Sequence, residues 1–166
     1  ENDRVLTPPD HMTGVKRLAR HDPSQPYDVE YGPAEPGFDP AAIVPEMDAK
    51  VLSLVDEYAG GGAPFFLYYP SLAVHSPLAP APEFQGKSGL GAYGDFVLQV
   101  DSFIGKLQDK LEEKGIADNT IVVFTSDNGC SSIVGFEELA KHGHNPNYIF
   151  RGSKSDIWEG GHRVPM

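Results

Sequence analysis

The stretch TIVVFTSDNG, residues 120–129, decides the fold, because an apolar run there leads directly into a polar turn. Its first six residues, 120–125, are mostly β-branched or aromatic and show no polar alternation, which is typical of a strand buried on both faces. A similar run, PFFLYYP at 64–70, begins and ends with proline. It predicts a second buried strand over residues 65–69.

Residues 93–114, which lie between these two runs, carry the clearest helical pattern. Apolar side chains recur every three or four positions, and charged side chains occupy the opposite face. Gly115 follows at the place where glycine commonly ends a helix. The apolar stripe consists of Phe96, Val100, Phe103, Ile104, Leu107 and Leu111. A shorter amphipathic helix is predicted over residues 46–58, before the glycines at 60–62.

A strand, a crossover helix and a second strand in this order predict parallel neighbours joined by a right-handed connection. Such units belong to α/β sheets, in which helices cover both faces. The predicted fold class is therefore α/β, with a mostly parallel central sheet between helices. We interpret residues 1–166 as part of a single domain, with a βαβ core over residues 46–166.

The N-terminal region differs in composition. Eight of the 15 prolines lie between Pro8 and Pro45, and proline disfavours the interior of helices and sheets. Residues 1–45 are therefore predicted to be an irregular surface segment or insertion. The chain begins at Glu1 rather than at a start methionine and ends at Met166 without a polar tail, so we expect an internal fragment of a longer protein.

Composition narrows the possible functions. The 13 basic and 24 acidic residues give a formal net charge of -11, which disfavours nucleic-acid binding through a basic face. No apolar run approaches the roughly 18–20 residues needed to span a bilayer. The single cysteine, Cys130, forms no internal disulfide and gives no information on the redox compartment.

Polar residues follow both predicted strands, where an open parallel sheet binds its ligands. Asp127 and Asn128 place a carboxylate beside an amide oxygen, a pair suited to Ca²⁺ or Mg²⁺. The alternative for these residues is a tight Asp-Asn-Gly turn. His75, at the end of SLAVH (71–75), is a candidate proton donor or anion ligand, and the alternative is a loop histidine that bonds nearby carbonyls.

Two further segments combine cations with glycine, RGSK at 151–154 and EGGHR at 159–163. Glycine lets the main chain and a cationic side chain approach an anion closely. The alternative is a pair of solvated, charged turns. Cys130 has no activating motif beside it, so we assign it no catalytic role.

Taken together, residues 64–166 resemble the type I, formylglycine-dependent sulfatases of the alkaline phosphatase superfamily. The resemblance rests on three motifs in order, namely PFFLYYP leading to His75-Ser76-Pro77, DNTIVVFTSDNG at 118–129, and RGSK leading to EGGHRVP at 159–165. A weaker likeness to the arylsulfatase and polysaccharide-sulfatase branch lies in residues 1–5 and 86–95.

The resemblance implies hydrolysis of a sulfate ester held against a bound Ca²⁺, with a formylglycine nucleophile that attacks sulfur. It implies that Asp127 and Asn128 are calcium ligands. It also implies that His75 is the general acid near the bridging oxygen, and that Lys154 contacts the sulfate and stabilises the transition state. Both His75 and Lys154 are thereby catalytic and substrate-binding candidates. Arg163 is expected to support the turn.

One departure from the family pattern limits what this chain does by itself. No cysteine or serine here begins the C/S-x-P-x-R signature from which formylglycine is made. The nucleophile is therefore expected outside residues 1–166, which alone are expected to be inactive. The implied substrates are sulfated small molecules or sulfated glycans, and the implied location is the periplasm or the cell exterior.

Two alternatives to a sulfatase stay open. One is a phosphodiester or phosphonate monoester hydrolase of the same superfamily. The other is a noncatalytic homologue that binds sulfated glycans.

Overall fold

The computed structural model describes residues 7–13 and 32–166. The chain divides into two units, Glu1–Ile116 and Ala117–Met166, and each is described by itself. The likeness of residues 1–5 to sulfatases, and the part of the irregular-segment prediction that covers residues 1–6 and 14–31, lie outside the described residues.

The amphipathic helix predicted over residues 93–114 is confirmed as helix α2, Gly91–Glu113. The buried members of its apolar stripe are Phe96, Phe103 and Leu111. At the C-terminus, the N–H groups of Gly115 and Ile116 donate to carbonyls of the last turn at 2.9 and 3.1 Å. This pairing is a Schellman motif, and its left-handed residue is Gly115, with φ of +67°.

The first predicted helix is also present, but it begins earlier than expected. Helix α1 spans Pro40–Gly60, whereas the sequence predicted residues 46–58. Its start is stabilised by Asp39, whose side chain accepts from the N–H of Ala41 at 2.9 Å. Proline is favourable at the first helical position, because the N–H it lacks has no partner there. The prediction of irregular structure is therefore wrong over residues 40–45.

A short antiparallel ribbon is a second departure from the predicted irregular segment. Strand β1, His11–Thr13, pairs with strand β2, Gly32–Ala34, so that His11 lies opposite Ala34. Its hydrogen-bond ladder needs only three residues on each side, and such a short pairing leaves no apolar alternation for sequence analysis to detect.

Helices α1 and α2 pack against each other and form the core of the first unit. The contribution of α1 to this core is Ala41, Val44, Val51 and Val55. Lys110 of α2 and Lys114, which directly follows this helix, lie 3.4 and 2.7 Å from the carboxylate of Asp56 on α1. The interface between the two helices therefore consists of apolar residues with ion pairs at one edge.

The segment 64–70 is attached to both helices by Tyr69. Its hydroxyl donates to Asp48 of α1 at 2.7 Å, and its ring meets that of Phe103 of α2 edge-on at 5.4 Å. Burial, and then the bond to Asp48, raise the pKa of the Tyr69 hydroxyl. Burial also raises the pKa of Asp48, although the hydrogen bond from Tyr69 opposes the shift.

Neither predicted buried strand is paired in this structure. Among the described residues the one sheet is the β1–β2 ribbon. In residues 65–69 the side chain of Phe66 is 91% exposed, and in residues 120–125 that of Ile121 is also 91% exposed. A strand is buried on both faces only when neighbouring strands and covering helices enclose it, and the described residues supply no neighbouring strand for either segment. The central sheet therefore stays a prediction.

The second unit is built from short elements and turns. It contains 3₁₀ turns at Ala117–Asn119 and Ser132–Val134, helix α3 at Phe136–Lys141 and helix α4 at Glu159–His162. Across the part of the chain that the structure describes, no helix combines the length and apolarity needed to cross a membrane.

Candidate active-site loops

The candidate site residues are divided between the two units. His75 belongs to the first, whereas Asp127, Asn128 and Lys154 belong to the second. Within the second unit, three segments of the sequence motifs come together. We call them the Asp-Asn loop (residues 126–130), the lysine loop (residues 151–154) and helix α4.

The Asp-Asn loop is ordered by its own hydrogen bonds. The hydroxyl of Ser126 donates to the carbonyl of Asn128 at 2.9 Å. The side-chain nitrogen of Asn128 donates to Gly129 O at 3.2 Å, so its amide oxygen is directed elsewhere. The carboxylate of Asp127 is exposed and makes no hydrogen bond or ion pair with the described residues.

These donors fit a hard cation. A carboxylate with no protein partner and an adjacent amide oxygen are the ligand types that Ca²⁺ and Mg²⁺ prefer. Two donors do not complete a site, since Ca²⁺ takes about six to eight oxygen ligands. Within residues 7–13 and 32–166, no group of three or more His, Cys, Asp or Glu side chains gathers around a common point. The loop therefore fits as part of a metal site.

The lysine loop lies directly against the Asp-Asn loop. The main-chain N–H of Lys154 donates to the carbonyl of Cys130 at 3.0 Å. Next to it, the carboxylate of Asp156 accepts from the N–H of Ser153 at 2.8 Å and closes the turn. The side chain of Lys154 is half-buried. Two candidate groups from separate motifs, Asn128 and Lys154, are therefore held on neighbouring stretches of main chain.

Glycines allow this close contact of main chains. A Cβ atom on Gly129 would lie 1.8 Å from Gly160 O, and one on Gly160 would lie 2.3 Å from Gly152 O. Both distances are far below van der Waals contact, so no other residue fits there. The N–H of Gly129 donates to Gly161 O at 3.0 Å, and the N–H of Gly160 donates to Arg151 O at 2.8 Å. Gly129 and the glycines of RGSK and EGG thus let three segments pack backbone to backbone.

Asn147 was missed by the sequence analysis. Its side chain is 9% exposed and accepts from the N–H of Cys130 at 2.9 Å. The same amide donates to Gly152 O at 2.9 Å. A single side chain therefore connects the Asp-Asn loop to the lysine loop. No motif marks it, because an asparagine in an Asn-Pro-Asn turn is ordinary turn chemistry.

The remaining polar residues of the motifs have structural contacts. Arg163 pairs with Glu159 at 3.1 Å and stacks over the ring of Phe150 at 4.8 Å. These are the contacts of a residue that supports the turn. The thiol of Cys130 is half-buried and lies 3.7 Å from the carbonyl of Ser131.

His75 lies on an exposed loop of the first unit. Its Nδ1 is 3.0 Å from Ser76 O. A carbonyl only accepts, so this contact requires the proton on Nδ1 and leaves Nε2 as the free nitrogen among the described residues. This contact therefore fixes the orientation of the ring through Nδ1.

The loop after His75 is anchored to α2 by two buried polar residues. Gln99 accepts from the N–H of Ala81 at 2.8 Å. The carboxylate of Asp95, 4% exposed, accepts from the N–H groups of Gly86 and Ser88 at 2.7 and 2.8 Å. Burial by itself would raise the pKa of Asp95, but these hydrogen bonds outweigh it and hold the pKa below the usual value.

A protein-family comparison agrees with these motifs. The sulfatase family model matches residues 10–166. The chain therefore belongs to the sulfatase family.

Several proteins that are similar to this chain in sequence are named as sulfatases. An N-acetylgalactosamine-6-O-sulfatase of Bacteroides thetaiotaomicron is 46% identical over 106 residues, which are 62% of this chain and 21% of the relative. An arylsulfatase of Hemicentrotus pulcherrimus is 42% identical and matches 61% of this chain and 17% of the relative. A steryl-sulfatase of Rattus norvegicus is 42% identical, with 61% of this chain and 18% of the relative covered. The chain spans about a fifth of the length of these relatives.

A solved sulfatase structure, described in connection with the metabolism of multiple glycosaminoglycans by Bacteroides thetaiotaomicron, is similar in fold. It is 39% identical, with a TM-score of 0.71, and the match covers 77% of this chain and 27% of that one. The chain therefore has the fold of the corresponding part of a sulfatase. Sulfatases as a family use a metal ion and a formylglycine, so both belong to the chemistry considered next.

Proposed function

We propose that the protein carrying this chain is a sulfuric ester hydrolase that cleaves sulfate esters of aryl or carbohydrate substrates. Bound Ca²⁺ supplies positive charge that polarises the sulfate, and a formylglycine, from outside residues 1–166, supplies the nucleophile. Residues 1–166 are one part of the catalytic domain. Their role is to contribute ligands, charge and a proton donor.

The observation that carries this proposal is the joined arrangement in the second unit. A main-chain bond of 3.0 Å links Lys154 to Cys130, two residues after Asn128. A cation suited to a sulfate oxygen and two oxygen donors suited to calcium are thus presented by adjoining segments. Sulfate ester cleavage needs both, because negative charge increases on the leaving oxygen as the bond breaks.

The metal ligands proposed in this chain are Asp127 and Asn128. The Asp127 carboxylate is unpaired among the described residues and is therefore available to a cation. The Asn128 amide uses its nitrogen in the loop, which keeps its oxygen for the metal. Calcium is favoured over magnesium because it accepts a large, irregular set of neutral and charged oxygens, whereas magnesium demands near-octahedral geometry.

The charge and proton roles are proposed for Lys154 and His75. The Lys154 ammonium binds the sulfate and stabilises the charge that develops in the transition state. Imidazole Nε2 of His75 donates a proton to the leaving oxygen, since Nδ1 is already committed to Ser76 O. Both residues also bind substrate.

The surrounding architecture follows from the same proposal. In the complete enzyme, residues 65–69 and 120–125 form strands of a mostly parallel central sheet, which helices cover on both faces as in an alkaline-phosphatase-like sandwich. When the sheet is complete, apolar side chains that are exposed here, such as Phe66 and Ile121, become buried. Because sulfated polymers are mostly extracellular, the enzyme works in the periplasm or outside the cell.

A substrate panel tests the proposal against both alternatives. The enzyme is expressed from its full coding sequence and assayed with an aryl sulfate, sulfated glycans, a phosphodiester and a phosphonate monoester. Turnover of sulfate esters above that of phosphorus esters is expected. Equal or faster phosphorus ester turnover would instead support the phosphodiester or phosphonate hydrolase. Binding of sulfated glycan without turnover of any ester would instead support the noncatalytic homologue.

A further inference from the structure

We propose that Asn147 is a positioning residue that sets the spacing between the Asp-Asn loop and the lysine loop. The inference rests on the proposed function, because its effect is expressed through the metal ligands of one loop and the cation of the other. The side-chain amide of Asn147 bonds main-chain groups of the two loops, so the role proposed is one of positioning.

The geometry places one amide between two loops. Oδ1 of Asn147 accepts from the N–H of Cys130 at 2.9 Å, two residues after Asn128. Nδ2 donates to Gly152 O at 2.9 Å, two residues before Lys154. Both lengths are typical of well-formed N–H···O bonds.

The orientation of the amide follows from its partners. A flipped amide would place its nitrogen against the N–H of Cys130 and its oxygen against the carbonyl of Gly152, and both contacts repel. At 9% exposure, water does not readily replace either bond. Asparagine alone therefore supplies a short acceptor and a short donor on one rigid plane.

Other contacts keep the loops folded when this side chain is changed. Lys154 N–H to Cys130 O and Gly129 N–H to Gly161 O are main-chain bonds, and a substitution at Asn147 removes no atom of either bond. Asn147 therefore adjusts the separation of two segments that are already in contact. This distinguishes a positioning role from a role in folding.

Two variants distinguish the effects of the two hydrogen bonds that the Asn147 amide makes. Asn147→Asp keeps an oxygen that accepts from Cys130 but loses the donor to Gly152, whereas Asn147→Ala loses both. Each is made in the enzyme expressed from its full coding sequence. The measurements are the Kd for Ca²⁺ alone by titration, kcat at saturating Ca²⁺, and hydrogen exchange of the Cys130 amide.

The expected results differ between the variants. Asn147→Ala speeds exchange at Cys130 and weakens Ca²⁺ binding by about 10- to 100-fold, the usual effect of losing a residue that orients a metal ligand. Its kcat also falls. Asn147→Asp retains slow exchange and a Kd near the wild-type value, but its kcat falls because the lysine loop is released.

A matched control tests whether a general loss of stability explains the changes in Kd and kcat. Val55→Ala truncates a 3% exposed residue in the core of the first unit, so it lowers the melting temperature and leaves Kd and kcat unchanged. The proposal is overturned if the Asn147 variants behave like Val55→Ala, or if they match the wild type in all three measurements.

The experiment also distinguishes this inference from the proposed function. If the wild type hydrolyses sulfate esters and Asp127→Ala does not, unaltered Asn147 variants overturn the positioning role alone. If the wild type hydrolyses no sulfate ester, the proposed function fails and the positioning role fails with it.

Discussion

The main-chain N–H of Lys154 donates to the carbonyl oxygen of Cys130 at 3.0 Å. This bond joins two motifs that are 20 or more residues apart in the sequence, and it uses no side-chain atom. The position of the lysine is therefore set by the backbone, and its ammonium makes no hydrogen bond or ion pair with the described residues. Because the backbone N–H and the ammonium are different groups, a substitution can remove the charge of Lys154 without disturbing the loop.

The first prediction concerns that charge. Lys154→Met keeps the length and the apolar stem of the side chain and removes the ammonium. We expect kcat/KM for an aryl sulfate to fall by about 100-fold or more, the usual effect of losing one electrostatic contact to the transition state. The melting temperature should be unchanged, because the bond to Cys130 is retained. Lys141→Met, on the exposed face of α3, is the control and should have wild-type kinetics.

The second prediction concerns the close packing of glycines. A Cβ on Gly129 would lie 1.8 Å from Gly160 O, so Gly129→Ala must push the Asp-Asn loop away from α4. We expect a lower melting temperature together with weaker Ca²⁺ binding, measured by thermal unfolding and by titration.

Gly105→Ala is the matched control for this change. Gly105 lies inside α2, and an added Cβ meets nothing within 4 Å. Alanine is favoured over glycine in a helix by about 0.5–1 kcal/mol, so this variant should be as stable as the wild type or more so. Equal effects of the two substitutions would contradict the packing argument.

The third prediction concerns the proton donor. If His75 protonates the leaving oxygen, His75→Ala should affect poor leaving groups more than good ones. We expect a large loss of kcat/KM for an alkyl or sugar sulfate and a smaller loss for 4-nitrophenyl sulfate, whose leaving group needs no proton. Equal losses on both substrates would assign His75 to binding alone.

The fourth prediction concerns the anchoring of the loop after His75. The folded pKa of Asp95 lies below its ordinary value of 3.8. Its stabilising contribution is therefore complete above about pH 4 and is lost as the pH falls through the lower folded pKa. Asp95→Asn should cost about 1.5–3 kcal/mol at neutral pH, since two hydrogen bonds to a charged group are weakened.

Thermal unfolding at several pH values checks this dependence. The difference in melting temperature between wild type and Asp95→Asn should be constant from pH 7 to pH 5 and should shrink in more acidic buffer. A difference that does not change down to pH 2 would show that the charge of Asp95 contributes nothing.

Local patterns predicted the helices well, because a helix is closed by hydrogen bonds within a few residues. The stripe of α2 and the glycine at position 115 are both visible in the sequence. The start of α1 was missed because prolines hid it, although Asp39 followed by Pro40 is itself a helix-start signal. A capping argument applied to that pair would have found the correct boundary.

Strands and loop contacts were harder to predict for a physical reason. The run at 120–125 has the composition of a buried strand, but burial depends on partners that no local pattern contains. The glycines of the motifs were recognised in the sequence. The close contact that requires them, between Gly129 and Gly160 O, is visible only in the folded structure. Asn147 gave no signal because its two partners, Cys130 and Gly152, lie 17 and five residues away.

The most direct test of the central claim is Ca²⁺-dependent aryl sulfate hydrolysis by the wild-type enzyme and by Asp127→Ala, both expressed from the full coding sequence. We predict that the wild type is active, that a chelator removes the activity and added Ca²⁺ restores it, and that Asp127→Ala is inactive at every Ca²⁺ concentration. Unchanged hydrolysis by Asp127→Ala would contradict the assignment of the Asp-Asn loop to the metal site.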